Sequence, residues 1–170
     1  NDHIRPQTGF TELDKQAHKM FYAYVLAKCE GDGEYDPVKL IEGGIFEFFH
    51  RIIVTDIKPP IYHKLIKRKG VQLNRWVLGE LSDSLGDLKG GFFERMQEYY
   101  QNPEYAKKEK MILKAAHYCA TNWEFNVIYP MNSTTYGIEQ VKREMTEGLA
   151  ACDTFSGFKY FMGSPYLKDF

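Results

Sequence analysis

Glu47 and His50 stand three residues apart in EGGIFEFFHRIIVTDIKPPIYHK, residues 42–64, and on a helix that spacing puts a carboxylate and an imidazole on one face. With His18, His63 and Asp56 they supply the side-chain types from which a three- or four-ligand site for a divalent transition metal can be built. A competing reading makes His50 a helix C-terminal residue, favoured there as a partly cationic imidazole by the helix dipole, and His63 an exposed arm residue. His3 and His117 read as surface or helix residues. Positive charge gathers in the same region. Arg51, Lys58, Lys64, Lys67, Arg68 and Lys69 follow one another closely, and Arg5 precedes the first helix. Arginine forks bind phosphate bidentately and lysines bind it as point charges. The bland alternative is that KLIKRKG (64–70) is a solvated helix end with cations near its C-terminus.

The elements that must position these residues read as helices. Thr11 and Asp14 form a capping pair for a helix with the apolar stripe Met20, Phe21, Tyr24, Val25, Ala27 and Cys29, ended by Gly31 and Gly33. Asp36 caps a second helix, with Pro37 in its first turn, running to about His50. Pro59 and Pro60 predict an extended approach before a helix from Val71 to about Leu85. Gly86, Gly90 and Gly91 open a loop before a short helix at Phe92–Tyr100. Asn102 and Pro103 start the next, which carries Met111, Ile112, Ala115, Ala116 and Cys119 and stops at Pro130. A last helix runs from Ser133 or Thr134 past Leu149, with a final turn around Phe158–Phe161. RIIVTDI (51–57) is the one β-branched run, and it is short. The expectation is one all-α domain over residues 1–170.

Composition narrows the function classes. The chain has 170 residues, enough for one sizeable core, and its 22 basic side chains balance 23 acidic ones, so no overall field favours nucleic acid or an anionic membrane. No apolar run approaches the roughly 20 residues of a membrane helix. The chain begins at Asn1 with no basic-then-apolar leader, and Cys29, Cys119 and Cys152 are odd in number and widely spaced. Together these predict a cytoplasmic protein with reduced thiols. Cys119 lacks a catalytic histidine, because His117 lies two residues away and points elsewhere on a helix. Twelve Tyr and twelve Phe exceed what one small core readily takes up, which suggests a protein interface; the alternative is a bundle core whose Tyr hydroxyls reach water.

The succession of QAHKM (16–20), TDIKPPIYHKL (55–65) and GFKYF (157–161) among long helices resembles the HD-domain phosphohydrolases, in their bacterial 5'-deoxynucleotidase-like branch. The resemblance implies an HD-like helical bundle, a dimer, and a metal held by two histidines and two aspartates. His18 matches the first-helix histidine. The ungapped pattern puts Glu47 and Phe48 on the HD pair and Asn122 nearest the late aspartate. Phenylalanine offers no electron pair, and a neutral amide is a poor ligand. Asp56 matches the aspartate that the resemblance makes catalytic, in a setting whose proline follows closely; the favoured reading is structural, with Asp56 accepting backbone N–H bonds at the turn before Pro59. A degenerate HD-like domain is therefore expected, without a family-type metal centre, binding a nucleoside monophosphate through Arg5, Arg51 and Lys58, or binding protein as a homodimer or with a partner. The alternative is an active phosphohydrolase whose metal is held by a rebuilt set, His18, Glu47 and His50, with Asp56 as proton donor or acceptor. A structural subunit of a larger assembly is the third reading.

Overall fold

The computed structural model describes residues 11–55, 57, 59–128, 143, 147 and 148, and every regular element among them is helical, with no strand. Five helices follow one another: α1 (Glu12–Glu30), α2 (Pro37–Val54), α3 (Pro59–Leu85), α4 (Phe92–Gln101) and α5 (Lys107–Ile128). The expected last helix and the turn at Phe158–Phe161 lie outside the described residues, except that Arg143, Glu147 and Gly148 are helical. No described helix is long and apolar enough to cross a membrane. The chain divides into two compact units, one made of Asn1–Leu40 and Lys108–Phe170 and the other of Ile41–Lys107.

In the first unit, Thr11 caps α1 as its sequence predicts. The Thr11 hydroxyl accepts from the Asp14 N–H at 3.2 Å, and the Asp14 carboxylate accepts from the Thr11 N–H at 2.7 Å, so two orphan donors are satisfied reciprocally. Gly31, at φ 108, ends the helix in a region that a side chain disfavours. Three observations place α1 along α5: Lys15 pairs with Glu124 at 2.6 Å, His18 lies on Trp123 with ring centroids 3.9 Å apart, and Tyr22, whose pKa burial raises, is raised further by the nearby Cys119. The numbering falls on one helix as it rises on the other, so the two run antiparallel. Ala23, Leu26 and Ala27 of α1 and Ile112, Leu113, Ala115, Ala116 and Ala120 of α5 are buried. The expected stripe on α1 is corrected by this register. Phe21 and Tyr24 are exposed, and the buried face instead carries Lys19, Ala23 and Leu26. Asp36 begins α2 by accepting from Val38 N–H at 2.9 Å, and its own N–H donates to the buried Glu109 carboxylate at 2.7 Å.

In the second unit, α2 continues to Val54, one turn beyond the expected end at His50. The extended approach read into residues 59–70 is also corrected, because α3 begins at Pro59. Proline is tolerated in a first helical turn, where its missing N–H would have no intrahelical acceptor. The two arms of α3 meet at Lys69, whose φ of −134° and ψ of 16° leave the helical range. Lys67 and Arg68 thus close the first arm, in keeping with the reading of cations at a helix end. α5 starts at Lys107 rather than at Asn102, since residues 103–106 form turns and Ala106 takes φ 51. Phe46 is the hub of this unit. It is fully buried and packs edge-on against Phe92, Tyr99 and Tyr100, with ring centroids 5.2, 5.6 and 6.5 Å away. Burying such a side chain contributes about 1.5–3 kcal/mol. Val77, Leu78, Leu81 and Met96 complete the core. Arg95 of α4 grips Glu42 of α2 through two bonds of 2.6 Å.

Candidate functional site: a polar centre around His50

Helical register delivers His50 from α2, Asn74 from α3 and Tyr100 from α4 to one place. His50 is buried. Asn74 Nδ2 donates to the Tyr100 carbonyl at 2.8 Å, and a carbonyl can only accept, so Asn74 must turn Oδ1 toward His50. His50 Nε2 lies 3.2 Å from that oxygen and therefore carries the proton, which leaves the lone pair on Nδ1 when the ring is neutral. Burial lowers the His50 pKa, with the Asn74 bond and the Glu47 charge opposing it. This corrects the sequence reading of a partly cationic imidazole at a helix end. Burial disfavours the charged ring.

Tyrosines wall the centre. Tyr62 and Tyr100 stand edge-on to the His50 ring, with centroids 6.3 and 5.6 Å away. The Tyr100 hydroxyl donates to the Phe46 carbonyl, and burial raises its pKa well above the ordinary value, with the Glu47 charge adding to the effect. Burial also raises Tyr62, while Arg51 lowers it. Tyr99 donates to Glu47 Oε1 at 2.7 Å. The Tyr99–Tyr100 pair, read from sequence as part of an aromatic surplus, is thus held internally, one hydroxyl on a carboxylate and the other on a backbone carbonyl.

Beside this centre α2 ends in a strained turn. Thr55, a β-branched residue, takes φ 60. Arg51 holds it from both sides: its carbonyl accepts from the Thr55 N–H at 3.0 Å, and its Nη1 donates to the Thr55 carbonyl at 3.3 Å. The candidate residues are distributed as follows. Glu47, His50 and Arg51 lie in the second unit, and His18 lies in the first. His63 is exposed on α3. Arg5, Asp56 and Lys58 lie outside the described residues. Among the described residues no three His, Cys, Asp or Glu side chains form a group that could hold a metal ion.

Sequence reasoning missed Asn74, Tyr62, Tyr99 and Tyr100. The signal for Asn74 was present: it shares the helical stripe of Val77, Leu78 and Leu81, so an amide stands at a core register where it needs partners. No protein-family profile, no curated protein and no solved structure matches this chain.

Proposed function

We propose that this chain is an HD-like domain that works without a family-type metal centre, binds a nucleoside monophosphate by its phosphate beside Arg51, and acts in the cytoplasm as a self-associating protein. The observation that carries this reading is the turn at Thr55. A β-branched residue in the left-handed region costs on the order of 1–3 kcal/mol and persists only where its surroundings enforce it. Here the Thr55 carbonyl accepts from both the Arg51 guanidinium at 3.3 Å and the Ile57 N–H at 3.1 Å, at the chain position next to Asp56. The same guanidinium offsets the carbonyl dipoles at the end of α2 and offers a planar fork to a phosphate. The cations Lys64, Lys67 and Arg68 follow on the first arm of α3, and all three are exposed.

Calorimetric titration of deoxynucleoside monophosphates into chelator-treated protein tests the reading. Binding is expected without metal, and Arg51→Ala should weaken it by on the order of 1.5–3 kcal/mol, the worth of a hydrogen bond to a charged group. Absence of heat with every nucleotide would overturn it. One tightly held metal per chain, lost in His18→Ala, would replace it with the hydrolase reading.

A further inference from the structure

The donors of the polar centre are committed within the fold, with one exception. His50 Nε2 donates to Asn74 Oδ1, Asn74 Nδ2 to the Tyr100 carbonyl, the Tyr99 hydroxyl to Glu47, and the Tyr100 hydroxyl to the Phe46 carbonyl. Tyr62 is the exception. Its ring is half-buried and stands edge-on to His50, with centroids 6.3 Å apart. Its hydroxyl makes no hydrogen bond among the described residues and stays open to solvent. Burial raises the Tyr62 pKa and the Arg51 charge lowers it, so the phenol stays protonated near neutral pH with the guanidinium in electrostatic reach. The Glu47 charge reaches Tyr62 as well, but that carboxylate already accepts from Tyr99. Tyr62 also falls in the first turn of α3, which carries no acidic residue and whose dipole favours an anion.

We infer that the Tyr62 hydroxyl is a second donor to the ligand's phosphate, and that Arg51 and Tyr62 together select a terminal phosphate monoester over a phosphodiester. This role for Tyr62 rests on the phosphate reading proposed above and gives it a ligand class. The selection is a matter of acceptor oxygens. A phosphate monoester ends in three strong acceptor oxygens, and an arginine fork takes two of them in parallel bonds. The third needs a donor of its own, and a protonated phenol beside the guanidinium supplies one. In a diester that third oxygen carries carbon, so it accepts weakly and has no negative charge to strengthen the bond. His50 braces the arrangement, because an imidazole committed to Asn74 gives the Tyr62 ring a fixed edge to stand against.

Calorimetric titration of the full chain with each deoxynucleoside monophosphate and the matching cyclic phosphate, a diester, tests this. Tyr62→Phe keeps the ring and removes only the hydroxyl. It should weaken binding of the monophosphate about ten-fold, as loss of a hydrogen bond to a charged group does, and leave the cyclic phosphate unchanged. Arg51→Ala should weaken both. Because the Tyr62 hydroxyl has no partner in the fold, Tyr62→Phe should melt like the parent, whereas Tyr99→Phe, which strips a bond from Glu47, should melt lower. Undiminished monophosphate affinity in Tyr62→Phe, with Arg51→Ala still weakened, would overturn the role of Tyr62 and leave the phosphate reading standing. An equal loss for both esters would overturn the selection between them. A lowered melt for Tyr62→Phe would show the hydroxyl to be engaged within the fold, against its assignment to a ligand. A parent that binds neither ester would overturn the phosphate reading and the role of Tyr62 together.

Discussion

His50 and Asn74 fix each other's orientation: the amide that donates to the Tyr100 carbonyl presents only its oxygen to the imidazole, 3.2 Å away. One side chain thereby sets the tautomer of a buried histidine and joins all three helices of the second unit. The His50 Nε2–H is engaged within the fold, and this limits what His50 offers to any ligand to the Nδ1 lone pair.

Removing Asn74 should accordingly destabilise the fold beyond the loss of packing. Asn74→Leu leaves the His50 Nε2–H and the Tyr100 carbonyl without their partner in a partly buried place. An unsatisfied buried group costs about 1–3 kcal/mol, so the midpoint of urea unfolding should fall by a corresponding amount. An unchanged midpoint would show that water replaces the amide at no cost.

The same centre predicts how stability varies with pH. Burial holds the folded-state pKa of His50 below its ordinary 6.5. As pH falls through 6.5 the unfolded chain takes up a proton that the folded chain refuses, so stability decreases on acidification until the folded pKa is reached. The slope is at most about 1.4 kcal/mol per pH unit for one such group. Unfolding free energies at about pH 7.5 and about pH 5.5, either side of that value, should therefore differ in the parent, and His50→Gln should flatten the difference. A parent profile that is level across this window would mean that the imidazole titrates normally.

Much of the fold was legible because helix ends are written locally. Thr11 with Asp14 and Asp36 with Pro37 each carry their capping chemistry within a few residues. The exceptions have physical causes. Pro59 and Pro60 read as helix breakers, yet a first turn accepts proline, and α3 starts there. Phe21 and Tyr24 point inward on apolar character alone, whereas α1 buries the small Ala23 and Ala27 and leaves the large rings exposed. The polar centre was hidden for a different reason. Asn74, Glu109 and Lys19 each sit on a buried helical stripe, and a polar residue at such a register is intelligible only once its partner is known. Glu109 meets the Asp36 N–H from 73 residues away, a distance in sequence that no local pattern spans.

Gly79 is an exposed glycine inside the second arm of α3. Alanine exceeds glycine by about 0.8–1.0 kcal/mol in a helix interior, and the space around this position is open. Gly79→Ala should therefore raise the melting temperature. A drop in that temperature would place an unseen steric demand at Gly79.

Thr55 couples stability to ligand binding with opposite signs. Its φ of 60 strains a β-branched side chain, and a glycine in its place would adopt that conformation freely, so Thr55→Gly removes strain on the order of 1–2 kcal/mol. Part of that gain is offset because glycine makes the unfolded chain more flexible, which leaves a net stabilisation of roughly 0.5–1 kcal/mol. The Arg51 guanidinium is held by the Thr55 carbonyl at 3.3 Å, and a more mobile turn holds it less well. If the strained turn positions Arg51 for a phosphate, Thr55→Gly should melt at a higher temperature and bind nucleotide more weakly. Melting curves and titration calorimetry on the same preparations measure both effects. A variant that is more stable and binds with undiminished affinity would show that the strain at Thr55 has no part in recognition.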